Sequence, residues 1–385
     1  MKTIGIITVG RVDWNIWKSI IKSIDGLKTF KIKIIALSMH FNKKYGLSYK
    51  DILSNKNKID EKINLKFGKS SPKNLAIQFS RYNNEFSKIF KKNNFDYLCL
   101  IGDRFESLAA ATTASFFSIP VFHFHGGEKS EGSLDDSYRH AISKLSHVHF
   151  VSNQIYKKRL IQIGEEKWRI KNVGAPGLDN LKTTKFLNKE NFYKKYSLDI
   201  NKKTILVSIN SETIEYKNNY KNTNILFNSL KKLNFNMLVT LPNFDLGSNS
   251  IREVISKYKK IKNIKVITTL GSDFASALKH CDLILGNSSA GIIETGFFKK
   301  PTINLGNRQN GRVFGKNVIN VIYNEKKILM AIKYALSSKL QKSLKLMKNP
   351  YGDGNSFKKI KSGLNFYVGI NKNILINKKF IDLKK

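Results

Sequence analysis

Short runs of apolar residues alternate along the chain with segments whose apolar positions recur at helical spacing. This is the pattern of parallel strands joined by crossover helices. In the first half the runs TIGIITV and YLCLI are almost unbroken, and strands are predicted at 3–9, 31–37, 96–101, 120–124 and 147–151. Helices are predicted near 12–24, 74–92, 105–117, 136–146 and 153–162. A polar stretch, KTTKFLNKENFYKKYSLDINKK, then shows little periodicity and marks a boundary between about 175 and 200. Beyond it the pattern restarts, with strands near 204–209, 235–240, 264–268, 282–286 and 302–305 and helices near 249–259, 273–279, 290–298 and 325–336. The expected fold class is α/β, with two Rossmann-like doubly wound domains. The first covers 1–180, the second 181–365, and 366–385 forms a C-terminal tail.

In open parallel sheets, ligands bind beyond the carboxyl ends of the strands. Five polar segments fall at such strand-to-helix turns: TVGRVDW, IGDRFES, HGGEKSEGSLDD, LPNFDLG and GNSSAGIIE. All five are expected to face one cleft between the domains. GNSSAGIIETG places a small-residue loop at a predicted helix start, where backbone N–H groups and the Ser288 and Ser289 hydroxyls suit a phosphate. Glu294, one to two turns into that helix, is placed to accept from a ribose diol. Arg11, Arg104 and Arg308 each follow a strand, where a guanidinium can reach a diphosphate. No G-x-G-x-x-G or Walker lysine loop is present, which argues against a dinucleotide cofactor and NTP hydrolysis.

The stretch VFHFHGGEKSEGSLDDSYRHAISK holds the densest chemistry. Were 120–124 a strand, alternation would put His123 and His125 on one face, but no third ligand at metal-site spacing follows, so no metal is expected. His123 reads as a hydrogen-bonded histidine under the sheet edge. Asp135 and Asp136 together exceed what one helix cap needs. With Asp103, His125 and Glu128 they form a crowd of titratable groups of the kind whose acid and base roles separate through mutual influence.

Charge changes this picture little. Lys and Arg number 68 against 28 acids, a net +40, yet the lysines are interleaved with Asn and Ile through both halves. That describes solvated faces able to attract anionic substrates rather than a specific nucleic-acid footprint. Cys99 and Cys281 both lie in apolar runs, giving buried thiols suited to a reducing cytoplasm, and no run is long enough to span a membrane. No signal peptide or anchor is expected.

The ordered set GRVDW, MHFNKKYGLSYKDI, GDRFESLAAA, HGGEKSEGSLDDSYRHAISKLSH, GAPGLDNL, LPNFDLG, GNSSAGIIETGFFKKPTINLGNRQNGR and NPYGDG resembles the hydrolysing UDP-N-acetylglucosamine 2-epimerases over about residues 1–360. The resemblance implies a GT-B type arrangement, a C-terminal segment returning to the first domain, and a homodimer or higher homo-oligomer. It also implies chemistry without metal or other cofactor: elimination of the nucleotide to a glycal, then addition of water with inversion at C2. By motif position Asp103, Asp135 and Asp136 would share acid–base roles with His125. Arg11, Asn15, Arg104, Glu128, Arg139, Asn210, Asn243, Ser288, Ser289, Glu294 and Arg308 would contact the nucleotide sugar. Two positions depart from the family pattern, His125 where many members carry Glu and Asn210 where many carry a catalytic His. A UDP- or GDP-linked 2,4-diacetamido-2,4,6-trideoxyhexose therefore competes with UDP-N-acetylglucosamine as substrate, and the product would feed nonulosonic acid synthesis. A GT-B glycosyltransferase is the alternative reading.

Overall fold

The structure, a computed structural model, describes residues 1–25, 27, 29–54, 57–66, 68 and 71–382. The chain forms two compact units, Met1–Glu128 with Asp135–Lys182 and Tyr351–Lys385, and Lys129–Leu134 with Thr183–Pro350. The switch at 182/183 falls within the aperiodic stretch. The chain rejoins the first unit at Tyr351, however, earlier than the expected tail at 366, of which residues 383–385 lie outside the described set.

The first unit is built on a seven-stranded parallel sheet. Its strands are β1 (Lys2–Thr8), β2 (Phe30–Ala36), β3 (Glu61–Lys62), β4 (Tyr97–Ile101), β5 (Val121–Phe124), β6 (Val148–Val151) and β7 (Ile170–Asn172), in the order β3-β2-β1-β4-β5-β6-β7. Every residue of β4, β5 and β6 is buried, which explains their unbroken apolar runs. Strand order reverses between β1 and β4, and the turns after these two strands lead into helices Arg11–Asp25 and Phe105–Phe116. Trp14 and Trp17 pack the first of these helices onto the core, and Trp17 Nε1 donates to the Ile7 carbonyl (2.9 Å). Ile360, Leu364, Tyr367 and Leu375 of the returning C-terminal segment fill the same core.

The second unit carries β8 (Thr204–Ser208), β9 (Asn236–Thr240), β10 (Ile264–Ile267), β11 (Leu283–Gly286), β12 (Thr302–Leu305) and β13 (Val318–Val321), ordered β10-β9-β8-β11-β12-β13 and all parallel. Here the reversal lies between β8 and β11. One face packs on Leu226, Phe227, Ile251, Val254 and Ile328, the other on Phe192, Tyr193, Ala277 and Leu278. Lys129–Leu134 belongs to this unit through its own hydrogen bonds. Glu131 N–H donates to the Asn310 carbonyl (3.1 Å) and Leu134 N–H to Thr213 Oγ1 (2.9 Å).

Candidate functional site

In the first unit the chemistry gathers at the carboxyl ends of β1, β4 and β5. Strand β5 stops at Phe124, and His125 takes a left-handed backbone (φ +64°). A non-glycine residue in that region is uncommon and persists only where its surroundings hold it. The holding contacts are a bond from its N–H to the Phe150 carbonyl (3.1 Å) and one from Nδ1 to Glu128 Oε1 (2.7 Å). The same Glu128 oxygen accepts from Ser152 Oγ (2.8 Å). A carboxylate can only accept, so Nδ1 carries the hydrogen and the neutral ring presents a lone pair at Nε2. Nε2 is buried and has no hydrogen-bond partner among the described residues.

His123 and His125 accordingly do not share a strand face, because the strand ends before His125 does. His123 is fully buried, bonded through Nε2 to the Gly102 carbonyl (2.7 Å) and through Nδ1 to Ser143 Oγ (3.2 Å), and burial pushes its pKa down to about 3. It is a core residue.

Arg139, on helix Asp135–Leu145, is almost wholly buried and is the centre of the acidic cluster. Its guanidinium donates to Asp103 Oδ2, to Asp136 Oδ1 (3.2 Å) and to the Glu128 carbonyl (3.1 Å). Arg139 and Glu128, expected at the nucleotide sugar, are thus turned inward. Arg139 orients two carboxylates and Glu128 orients an imidazole, while Asp103 and Asp136 keep a quarter and a fifth of their side chains exposed. Asp136 also stands 3.6 Å from His140 Nε2. Asp135 opens the helix in the turn before Arg139.

Arg104 pairs with Glu106, a fully buried carboxylate (3.3 and 3.4 Å), and points one N–H at Met39 Sδ (3.7 Å). Arg11 begins its helix, and burial lowers its pKa. Asn15 lies one turn further along, its carbonyl accepting from the Asn180 side chain. Asp13, between them, was not singled out from the sequence. One carboxylate oxygen accepts from the Val9 N–H (3.1 Å), and burial raises its pKa to about 6. Its only sequence signal was an acid two positions after an arginine at a strand end.

In the second unit the carboxyl ends of β8 and β11 are tied together by a residue that sequence reasoning also missed. The Asn287 side chain accepts from the Asn210 N–H (2.7 Å) and donates to the Asn210 carbonyl (2.9 Å). Asn210 Oδ1 in turn accepts from the Asn243 N–H (3.2 Å), so this asparagine orders the turn after β9. The Asn287 carbonyl accepts from Arg308 Nη1 (3.2 Å) and Gln309 Nε2 (2.8 Å). Beneath them Glu212 is buried, its Oε1 accepting from the Asn307 N–H (2.9 Å), and desolvation raises its pKa.

Ser288 and Ser289 are half-buried at the mouth of this bracket. The helix they open runs only from Ala290 to Ile293, not to 298 as expected; from Glu294 the chain continues as turns to the left-handed Lys299 (φ +55°). Glu294 is therefore the residue that ends the helix rather than one within it. One turn supplies only a small dipole, so anion binding here would rest on hydroxyls, nearby N–H groups and Arg308.

Two parallel α/β units, one bearing a cluster of titratable side chains at the carboxyl ends of its strands and the other a small polar loop at its strand reversal, define the class as GT-B type. The family model described as UDP-N-acetylglucosamine 2-epimerase matches residues 22–365. The chain belongs to that family. It is 35% identical over 84% of its length to a GDP/UDP-N,N'-diacetylbacillosamine 2-epimerase (hydrolyzing) of Campylobacter jejuni, 85% of which is covered. It is 33% identical over 92% of its length to a UDP-N,N'-diacetylbacillosamine 2-epimerase (hydrolyzing) of Legionella pneumophila, 93% of which is covered. Among solved structures it resembles the UDP-GlcNAc 2-epimerase from Neisseria meningitidis bound to UDP-GlcNAc, with TM-score 0.80 at 18% identity over 95% of this chain and 100% of that one.

Proposed function

We propose that the protein is a hydrolysing 2-epimerase that releases UDP or GDP from a nucleotide-linked 2,4-diacetamido-2,4,6-trideoxyhexose and frees the sugar inverted at C2, as a step toward a nonulosonic acid. The relatives at 35% and 33% identity carry names for that activity on that sugar, against one at 32% named for UDP-N-acetylglucosamine, and this supports the diacetamido sugar as the first substrate to test. The observation that carries the chemistry is His125, whose Nδ1 is fixed on Glu128 while a buried Nε2 is left unsatisfied. In this reading Nε2 takes the C2 proton as the nucleotide leaves C1, and Glu128 stabilises the imidazolium. Asp103, Asp135 and Asp136, two of them aligned by Arg139, handle the proton and the water on the other face. Ser288, Ser289, Asn243, Glu294 and Arg308 bind the nucleotide, assisted by Arg11, Asn15 and Arg104, and Asn210 has a positioning role in place of a proton carrier.

The protein is further proposed to act in the cytoplasm, where its buried free thiols Cys99 and Cys281 stay reduced, and as a homodimer or higher homo-oligomer. Among the described residues no helix is long and apolar enough to cross a membrane.

Purified protein should release nucleotide from UDP- or GDP-linked diacetamido-trideoxyhexose without an acceptor, and in deuterium oxide the freed sugar should carry deuterium at C2. Release that waits for an acceptor sugar would make the protein a transferase. A C2-protonated product would exclude elimination.

A further inference from the structure

The turns after β8, β11 and β12 stand side by side at the carboxyl ends of the second sheet, with β11 between the other two strands. Contacts close them into a ring. The Asn287 side chain grips the Asn210 backbone (2.7 and 2.9 Å), and the Asn287 carbonyl accepts from Arg308 Nη1 (3.2 Å) and Gln309 Nε2 (2.8 Å). Glu212 makes the third side. It reaches from the turn after β8 past β11 to the turn after β12, where its Oε1 accepts from the Asn307 N–H (2.9 Å).

A carboxylate is an expensive way to hold one backbone N–H. Glu212 is only 4% exposed, and a charge withdrawn from water is unfavourable unless it is well bonded. The backbone nevertheless makes room for it. Gly306 is left-handed (φ +69°), and a Cβ at this place would overlap Glu212 Oε1 and lie 2.6 Å from the Tyr323 ring, so no side chain fits there. What the carboxylate holds is the chain immediately before Arg308. It accepts from that backbone rather than from the guanidinium, so Arg308 keeps its charge for an anion. Arg308 Nε is also buried and without a hydrogen-bond partner among the described residues.

We propose that Glu212 is a positioning residue for nucleotide binding: by fixing the chain at Gly306 and Asn307 it sets the Arg308 guanidinium toward the diphosphate that Ser288 and Ser289 receive. This rests on the reading of Ser288, Ser289 and Arg308 as the nucleotide's binding residues. Glu212 itself touches no phosphate, which its own negative charge would repel, and it acts through Arg308.

The test is a calorimetric titration of UDP and GDP into wild type, Glu212→Ala, Arg308→Ala and the double variant. Glu212→Ala should weaken the nucleotide about 10- to 100-fold, the scale of a hydrogen bond to a charged group. KM should rise in proportion, and the pH profile of kcat should stay as in wild type. Because Glu212 acts through Arg308, the double variant should bind no worse than Arg308→Ala alone. Glu212→Gln keeps the length and one acceptor oxygen and should recover part of the affinity. It replaces Glu212→Ala in the cycle if circular dichroism shows the latter to be unfolded. Wild-type affinity in the folded Glu212 variant, or losses that multiply in the double variant, would overturn the proposal while leaving the nucleotide site in place. Wild-type protein that binds neither UDP nor GDP would overturn the reading of that site and the proposal with it.

Discussion

Arg139 is the residue on which the acidic cluster depends. It is buried, and it answers Asp103 and Asp136 at once, so its removal leaves two partly desolvated carboxylates facing each other. Arg139→Met should cost on the order of 3 kcal/mol in denaturant unfolding and abolish turnover together with the alignment of both aspartates. Asp103→Asn and Asp136→Asn keep shape and should each lose about 10²–10⁴-fold in kcat while remaining folded, the scale of a lost acid–base group. Asp13 makes a contrary stability prediction. Its folded pKa of about 6 stands above the ordinary 3.8, so its contribution is complete below about pH 3.8 and is lost as pH rises through 6. Asp13→Asn cannot ionise and should unfold at higher temperature than wild type above pH 6, by at most about 3 kcal/mol, with no gain below pH 4. Of these residues Asp103 and His125 drew attention in the sequence because each closely follows an apolar run, and Asp136 because two adjacent acids exceed what one helix cap needs. Arg139 was expected at the nucleotide sugar, and its pairing with Asp103 and Asp136 was not foreseen, since nothing in one dimension tells which way a helical arginine turns. Asp13 was hidden by its own respectability as a first-turn helix acid.

Elements were legible in proportion to their burial. The central strands β1, β4, β5, β8 and β11 are continuous apolar runs and fall within a residue or two of expectation. The strands missed, β3, β7 and β13, are outermost members of their sheets, two to four residues long and only partly buried. An edge strand pairs on one side and needs little apolar sequence. Helix Asn219–Leu230 was missed because four asparagines dilute its pattern, although Leu226, Phe227 and Leu230 lie on its buried face. The overlong helix expected at 290–298 shows the opposite failure, in which apolar residues continue beyond the point where the backbone has already turned. The bracket made by Asn287 is invisible in sequence, because it exists only once β8 and β11 lie side by side. Asn287→Ala deletes both bonds to the Asn210 backbone and should cost about 1–3 kcal/mol. If the bracket shapes the nucleotide site, calorimetric affinity for UDP should fall in that variant while the pH dependence of kcat stays as in wild type.

At the scale of the molecule, the C-terminal segment is fastened to the first unit by buried charge. Arg169 donates to the carbonyls of Ile374, Leu375 and Asn377, and Lys378 reaches Glu165 (2.8 Å) and the carbonyls of Lys144 and Ser146. Lys144 (2.7 Å) and His149 (3.0 Å) complete the shell around Glu165. Burial works against the charge of both Glu165 and His149, but the hydrogen bond and charge interaction with His149, followed by Lys378 and Lys144, outweigh it at Glu165 and hold that carboxyl at a pKa of about 2. A depressed carboxylate pKa gives stability that is present above its ordinary value of 4.5 and lost as pH falls toward 2. Glu165→Gln should therefore lower the melting temperature at pH 7 and flatten its decline between pH 4.5 and 2, as followed by circular dichroism. Division of the chain into units also bears on its birth at the ribosome. Thr183–Pro350 emerges as one nearly uninterrupted stretch and can fold as soon as it clears the exit tunnel, whereas the unit begun first still lacks Ile360, Leu364, Tyr367 and Leu375. The unit whose strands are made earlier is thus completed after the other. During that interval it holds an apolar face open to water, which makes it the natural client of a chaperone.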